Sequence, residues 1–238
     1  MKQFLSVLVM VFAGFVLKAQ NEIVVDPNAS VREVPGQFDA IKVSNGIDLY
    51  LSQSDNTAIA VSAGSENYKD NIKTVVENGT LRIFYEGEKG WSKKDRKLKV
   101  YVSFSELKRL DASGACDVIV AGSLTSANLV LHMSGACDFS GMVKVNTLDI
   151  NLSGASDAKI SGTAKTVNIK SSGASDVKAF ELVTDTCNAN ISGASDVYIT
   201  VNSELTASAS GASDIKYKGN GVVKEKHSSG ASSITKSE

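Results

Sequence analysis

The sequence predicts an all-β chain coiled as a parallel β-solenoid, and three observations predict it. The tripeptide Ser-Gly-Ala occurs seven times, with glycines at Gly114, Gly135, Gly154, Gly173, Gly193, Gly211 and Gly230, spaced by 18 to 21 residues. Between the copies apolar residues alternate with Ser, Thr, Asn and Lys, the period of a strand with one buried face and not of a helix. Only 2 prolines occur against 19 glycines in 238 residues, a balance that suits strands joined by glycine turns.

From the N-terminus, Lys2 precedes an apolar run over residues 4–17 that ends in Lys18-Ala19-Gln20. A run this short at the extreme terminus is a secretory signal peptide and not a membrane span. Residues 1–19 are expected to be removed by a cut after Ala19, although Leu17 is a poor residue two positions earlier. The first cysteine is Cys116, so no lipid-anchored N-terminus is expected. Residues 20–36 read as a linker.

Residues 37–110 read as a less regular β-rich part that forms the first coils or a cap. Ile41-Lys42-Val43-Ser44-Asn45-Gly46-Ile47-Asp48-Leu49 has the order of a degenerate repeat: apolar alternation, serine, a turn residue tolerant of positive φ, aspartate, apolar restart. Residues 57–63, 72–76, 81–85 and 98–104 are strand-like, and Glu77-Asn78-Gly79-Thr80 is a strong hairpin signal. Residues 86–97 break the pattern with a run of mixed charge and the only tryptophan. Its ordinary reading is a solvated hairpin loop. Its sharper reading is a contact for a glycan or a protein through Trp91, Lys93, Lys94 and Arg96.

Residues 111–238 hold the regular repeats. Two, four and six positions before each glycine the side chains are apolar or small: Met133, Leu131 and Leu129; Leu152, Ile150 and Leu148; Ser171, Ile169 and Val167. Later copies give Ile191, Ala189 and Cys187, then Ala209, Ala207 and Leu205. Intervening residues such as Asp149, Asn151, Asn168 and Lys170 are polar. After each motif an apolar residue restarts the pattern, as Val118, Phe139, Ala158, Val177, Val197, Ile215 and Ile234. The motif is therefore a corner between strands, where glycine takes a backbone angle costly to other residues and Ser and Asp bond nearby amides. A unit of about 19 residues, with two or three short strands, cannot bury its apolar edge alone but can do so by stacking on copies of itself. A right-handed β-helix is preferred over a left-handed one, which usually carries a six-residue repeat. In the last copy the inner positions are Lys224, Lys226 and Ser228, a polar end that suits an open solenoid.

Residues 44–51, followed by repeated Ser-Gly-Ala-Ser-Asp corners, resemble the "putative auto-transporter adhesin, head GIN domain" family of exported Gram-negative proteins, over roughly residues 37–235. The resemblance implies a β-helical fold at the cell envelope and carries over no catalytic residue. No translocating barrel follows residue 238, so the chain is not expected to be a complete auto-transporter.

In-register stacking would align Asp117, Asp138, Asp157, Asp176, Asp196 and Asp214 at roughly 5 Å intervals, with repulsion on the order of 1 kcal/mol between neighbours. Hydrogen bonds at each aspartate's own corner would offset this; a calcium ladder is the alternative, and otherwise no cofactor or metal is expected. Cys116 and Cys137 replace serine in a small, half-buried slot of consecutive coils. Two packed thiols, a strained disulfide and a metal pair with His132 are the readings open there, while Cys187 is core.

A net charge of −1 gives no footprint for nucleic acid. With only two histidines and no nucleophile elbow, zinc-protease motif or phosphate loop, no enzyme is expected. The sequence-level reading is a non-catalytic exported protein of the periplasm, outer membrane or cell surface, with a glycan or an envelope protein as partner; homo-oligomers are compatible with it. A carbohydrate-active β-helix lyase or hydrolase and a structural envelope spacer are the alternatives.

Overall fold

The computed structural model describes residues 26–87 and 96–238. The signal segment, Trp91, Lys93 and Lys94 lie outside the described residues. The structure is nearly all β: among the described residues sixteen strands join into one sheet that winds as a solenoid of about seven turns. Among the described residues no helix is long and apolar enough to cross a membrane.

The regular coils are β9 (Asp117–Gly135), β10 (Asp138–Leu152), β11 (Asp157–Ser171), β12 (Val177–Ile191) and β13 (Asp196–Gly211). Each lies parallel to its neighbours in register, with Leu129, Leu148, Val167, Cys187 and Leu205 stacked in one column. Instead of two or three short strands, each coil is one strand of 15 to 19 residues. In β10 the inner side chains are Phe139, then Val143 and Val145, then Leu148, Ile150 and Leu152. The empty inner position at Gly141 and the one slip in that alternation, from Val145 to Leu148, mark two bends. The parallel ladder continues past the bends, with register shifts between Ser140 and Met142, between Lys159 and Gly162, and between Ala179 and Val183.

The third bend is the motif. Each of the seven glycines has positive φ, from 75° to 96°. A second constraint comes from stacking: a Cβ on Gly154 would lie 2.4 Å from the Gly135 carbonyl oxygen. That same oxygen accepts the N–H of Ala155 at 2.7 Å. Glycine is thus required both by the backbone angle and by the coil below it.

The N-terminal part supplies one coil and a cap. β2 (Ala40–Ser44) and β3 (Asp48–Gln53) form the degenerate coil around Asn45 and Gly46, both with φ near 70°. They stack in parallel on β8 (Arg109–Gly114) and β9. Between β3 and β8 the chain leaves the stack and builds on its outer face. There β6 (Thr80–Tyr85) lies parallel to β2 and β7 (Lys99–Phe104) parallel to β3. Antiparallel strands finish the cap: β5 (Ile72–Glu77) on β6, β4 (Ala58–Ser62) on β7 and β1 (Ser30–Arg32) on β4. Asn78 and Gly79 turn the expected β5–β6 hairpin with φ of 49° and 73°. A single helical turn, α1 (Glu66–Asp70), was not signalled by any periodicity; its buried Lys69 is held by Glu66 at 2.7 Å and the Asn28 carbonyl at 3.1 Å.

At the other end β14 (Asp214–Lys218), β15 (Val222–Gly230) and β16 (Ser233–Lys236) make the last turns. Lys224, Lys226 and Ser228 are exposed. One hydrophobic cluster runs the whole length, from Ile41 to Ile234.

Candidate binding faces of the solenoid

The corner concentrates the residues the sequence singles out. Ser156, Ser175, Ser195 and Ser213 are fully buried, so the slot is tighter than the half-buried one expected. The hydroxyls of Ser156, Ser175 and Ser213 donate to carbonyls of their own corners, to Ser153 O at 3.2 Å, Ser172 O at 3.3 Å and Ser210 O at 2.9 Å. All four, Ser195 included, accept an N–H from the preceding coil, at 3.2 to 3.4 Å from Cys137, Ser156, Ser175 and Ser195 in turn. Cys116 and Cys137 stand at the head of this ladder as free, buried thiols that donate to Ser113 O and Ser134 O at 3.3 Å. Contact with the Cys116 thiol and burial push the Cys137 thiol up. Burial pushes Cys187 up to about 12, which makes it inert core.

The aspartates do form a column, lengthened by Asp48 above Asp117 and ended by Ser233 below Asp214. Their bonds run from coil to coil rather than within one corner. Oδ1 of Asp157, Asp176 and Asp196 accepts the N–H of the next aspartate at 3.2 to 3.3 Å. Oδ1 of Asp214 accepts both the N–H and the hydroxyl of Ser233. Lys178 bridges Asp157 at 2.8 Å and Asp176 at 3.5 Å. At the cap end burial and the neighbouring Asp117 carboxylate raise Asp48, and burial and Asp138 raise Asp117. Among the described residues no three His, Cys, Asp or Glu are grouped to hold a metal ion.

The run before the corner presents a flat polar face. Its outer columns are Arg109, Val130, Asp149, Asn168, Asn188 and Thr206, and beside them Asp111, His132, Asn151, Lys170, Asn190 and Ser208. The first column braces itself: the Asn168 amide donates to Asp149 at 2.7 Å and that of Asn188 to Asn168 at 3.0 Å. At its head Arg109 grips Asp111 through two bonds of 2.8 Å, and His132 Nδ1 lies 3.8 Å from the same carboxylate. In the second column Asn151, Lys170 and Asn190 line two adjoining hollows of 370 and 580 Å³, and Ser208 lines the larger of them. The alternation in the sequence identifies these residues as outward; their alignment into donor and acceptor rows emerges only from the register.

Of the four loop residues proposed as a contact, Arg96 alone is described. Its guanidinium lies 5.1 Å over the Tyr85 ring and its carbonyl accepts the Gly64 N–H at 2.8 Å.

A family described as "Putative auto-transporter adhesin, head GIN domain" matches residues 37–221. The fold resembles that of a putative adhesin from Bacteroides fragilis, with a TM-score of 0.82 at 23% identity over 89% of this chain and 98% of that one. A putative adhesin from Parabacteroides merdae gives 0.71 at 21% identity over 90% and 98%. A putative lipid binding protein from Parabacteroides distasonis gives 0.69 at 21% identity over the same shares. No curated protein sequence matches the chain.

Proposed function

The chain belongs to the "Putative auto-transporter adhesin, head GIN domain" family, and from that premise we propose that it is a non-catalytic exported surface protein that adheres to a glycan through its polar face. The observation that carries the reading is the paired column: a braced Asp149–Asn168–Asn188 row beside amide, ammonium and hydroxyl groups of Asn151, Lys170, Asn190 and Ser208. A rigid row of donors and acceptors suits a polymer of hydroxyl-rich units, because the side chains are ordered before the ligand arrives. Binding rather than catalysis is supported by the equivalence of the acids. Catalysis needs one asymmetric cluster with separated pKa values, whereas the column aspartates sit at repeated corners and accept repeated N–H bonds.

A glycan array probed with the purified protein tests this. Saturable retention on defined glycans is expected, weakened about tenfold, or about 1.4 kcal/mol, when Asn151, Lys170 and Asn190 are together changed to alanine. Retention unaffected by that triple change sinks the assignment to this face.

A further inference from the structure

Across the corner from the polar face, the outer side of the first bend carries a larger hollow, of 720 Å³. Gly141 lies in its lining at a position closed to larger residues, since a Cβ there would come within 2.9 Å of the Val120 side chain. Ile119, Ile160 and Met142 line it, and Met142 is 43% exposed. The wall is raised by an irregularity in β12, whose pairing slips against β11 and against β13 around Phe180 and Glu181. Such bulges re-aim side chains. Here the bulge sets Phe180 edge-on to Tyr198, with centroids 5.4 Å apart and planes at 74°. Lys218 Nζ lies 4.9 Å over Phe180 and Lys216 Nζ 5.5 Å over Tyr198. Two more lysines line the hollow itself. Lys178 is engaged by Asp157 and Asp176, whereas Lys159 has no acidic partner among the described residues; Glu181 is the only acid in the lining.

We propose that this groove binds a single-chain anionic amphiphile of the fatty-acid class, its alkyl chain along Met142, Ile119 and Phe180 and its carboxylate at Lys159. The volume lies within the range of small-ligand sites, which are mostly apolar with a few placed polar groups. Uneven cation placement supplies the complementarity: Lys159 lines the hollow with a single acid, Glu181, and Lys216 and Lys218 lie over the Tyr198 and Phe180 rings of its wall. An ammonium–carboxylate bond in a half-dry groove is stronger than a neutral one. A sugar would leave the Met142 and Ile119 surface unmatched, and a bilayer cannot reach the floor of a concavity, so the occupant is a monomer taken from solution.

The test titrates the purified protein with decanoate and with 1-decanol by calorimetry. One decanoate should bind per chain, with decanol at least about tenfold weaker, or about 1.4 kcal/mol. Met142→Glu and Lys159→Glu change exposed side chains and should leave melting unchanged. Each should weaken decanoate about tenfold, and Lys159→Glu should abolish the preference for acid over alcohol. Absence of saturable decanoate binding, equal affinity in wild type and both variants, or capture only by phosphatidylglycerol vesicles overturns the proposal. Because the glycan test uses residues on the other face, either reading can fail without the other.

Discussion

The two ends of the solenoid meet the same hazard, an open sheet edge over an apolar core, in opposite ways. At the N-terminal end the edge is covered: β6 and β7 add a layer, and antiparallel β5, β4 and β1 turn the sheet so that it cannot continue. Val100, Val102, Leu81 and Ile83 are buried there. At the C-terminal end nothing among the described residues covers the edge, and Lys226 and Ser228 follow Ala207 and Ala209 in the inner columns. Covering an edge costs chain length but gains buried area; placing charge at inner positions gains no area and only discourages pairing. The first end should therefore carry stability, the second solubility.

The largest effect is expected from Val102→Asp, which puts an unpaired charge between β3 and β4. It should cost about 4 kcal/mol or more and abolish cooperative melting by circular dichroism; native-like melting would mean the cap carries no stability. Next, one corner change can be made at both places. Gly154→Ala forces an alanine into positive φ with a backbone oxygen 2.4 Å away, at a cost above ~2 kcal/mol. Gly230→Ala, in the last exposed turn, should cost less than half as much, because that turn can fray alone. Equal shifts in urea midpoint would show the terminal turn to be as integrated as the interior. Changing Lys226 and Ser228 together to valine should leave the midpoint unlowered yet move the protein to dimers or larger species on size exclusion; a monomer would show that these residues do not guard the edge.

The smallest effect concerns Asp48. Burial and the Asp117 carboxylate raise its pKa, so the folded state holds that proton more tightly than the unfolded chain does. Its contribution favours the fold below the ordinary carboxylate pKa and is lost as pH rises through the raised value. Asp48→Asn should thus stabilise the protein at pH 7 by a few tenths of a kcal/mol, since solvent screens a half-exposed group, and should do nothing at pH 3. A destabilised variant at pH 7 would mean the charge is wanted.

What the sequence made legible was whatever repeats locally. The corner glycines, the inner triplets and the Asn78-Gly79 hairpin each follow from a spacing or a backbone angle set by residues a few positions apart. The layer order was not legible. β6 and β7 lie outside the coil that precedes them in the chain, and choice of pairing partner is a long-range property that alternation does not encode. The aspartate bonds were expected within a corner and run between corners, because the nearest unpaired N–H belongs to the next coil. The 720 Å³ groove was also hidden, since Phe180 is displaced by a register slip visible only against its neighbours.

The cap excursion leaves the stack with a single growing face. Every interior coil meets the next through the same glycine corner, a serine or cysteine rung and an inner triplet, so a repeat can be duplicated or lost without remodelling either terminus. The molecule is in this sense a ruler. Each added unit of about 19 residues moves the polar rim outward by one strand spacing, ~4.8 Å, and adds one rung to the face beside it while the blocked end stays as it was.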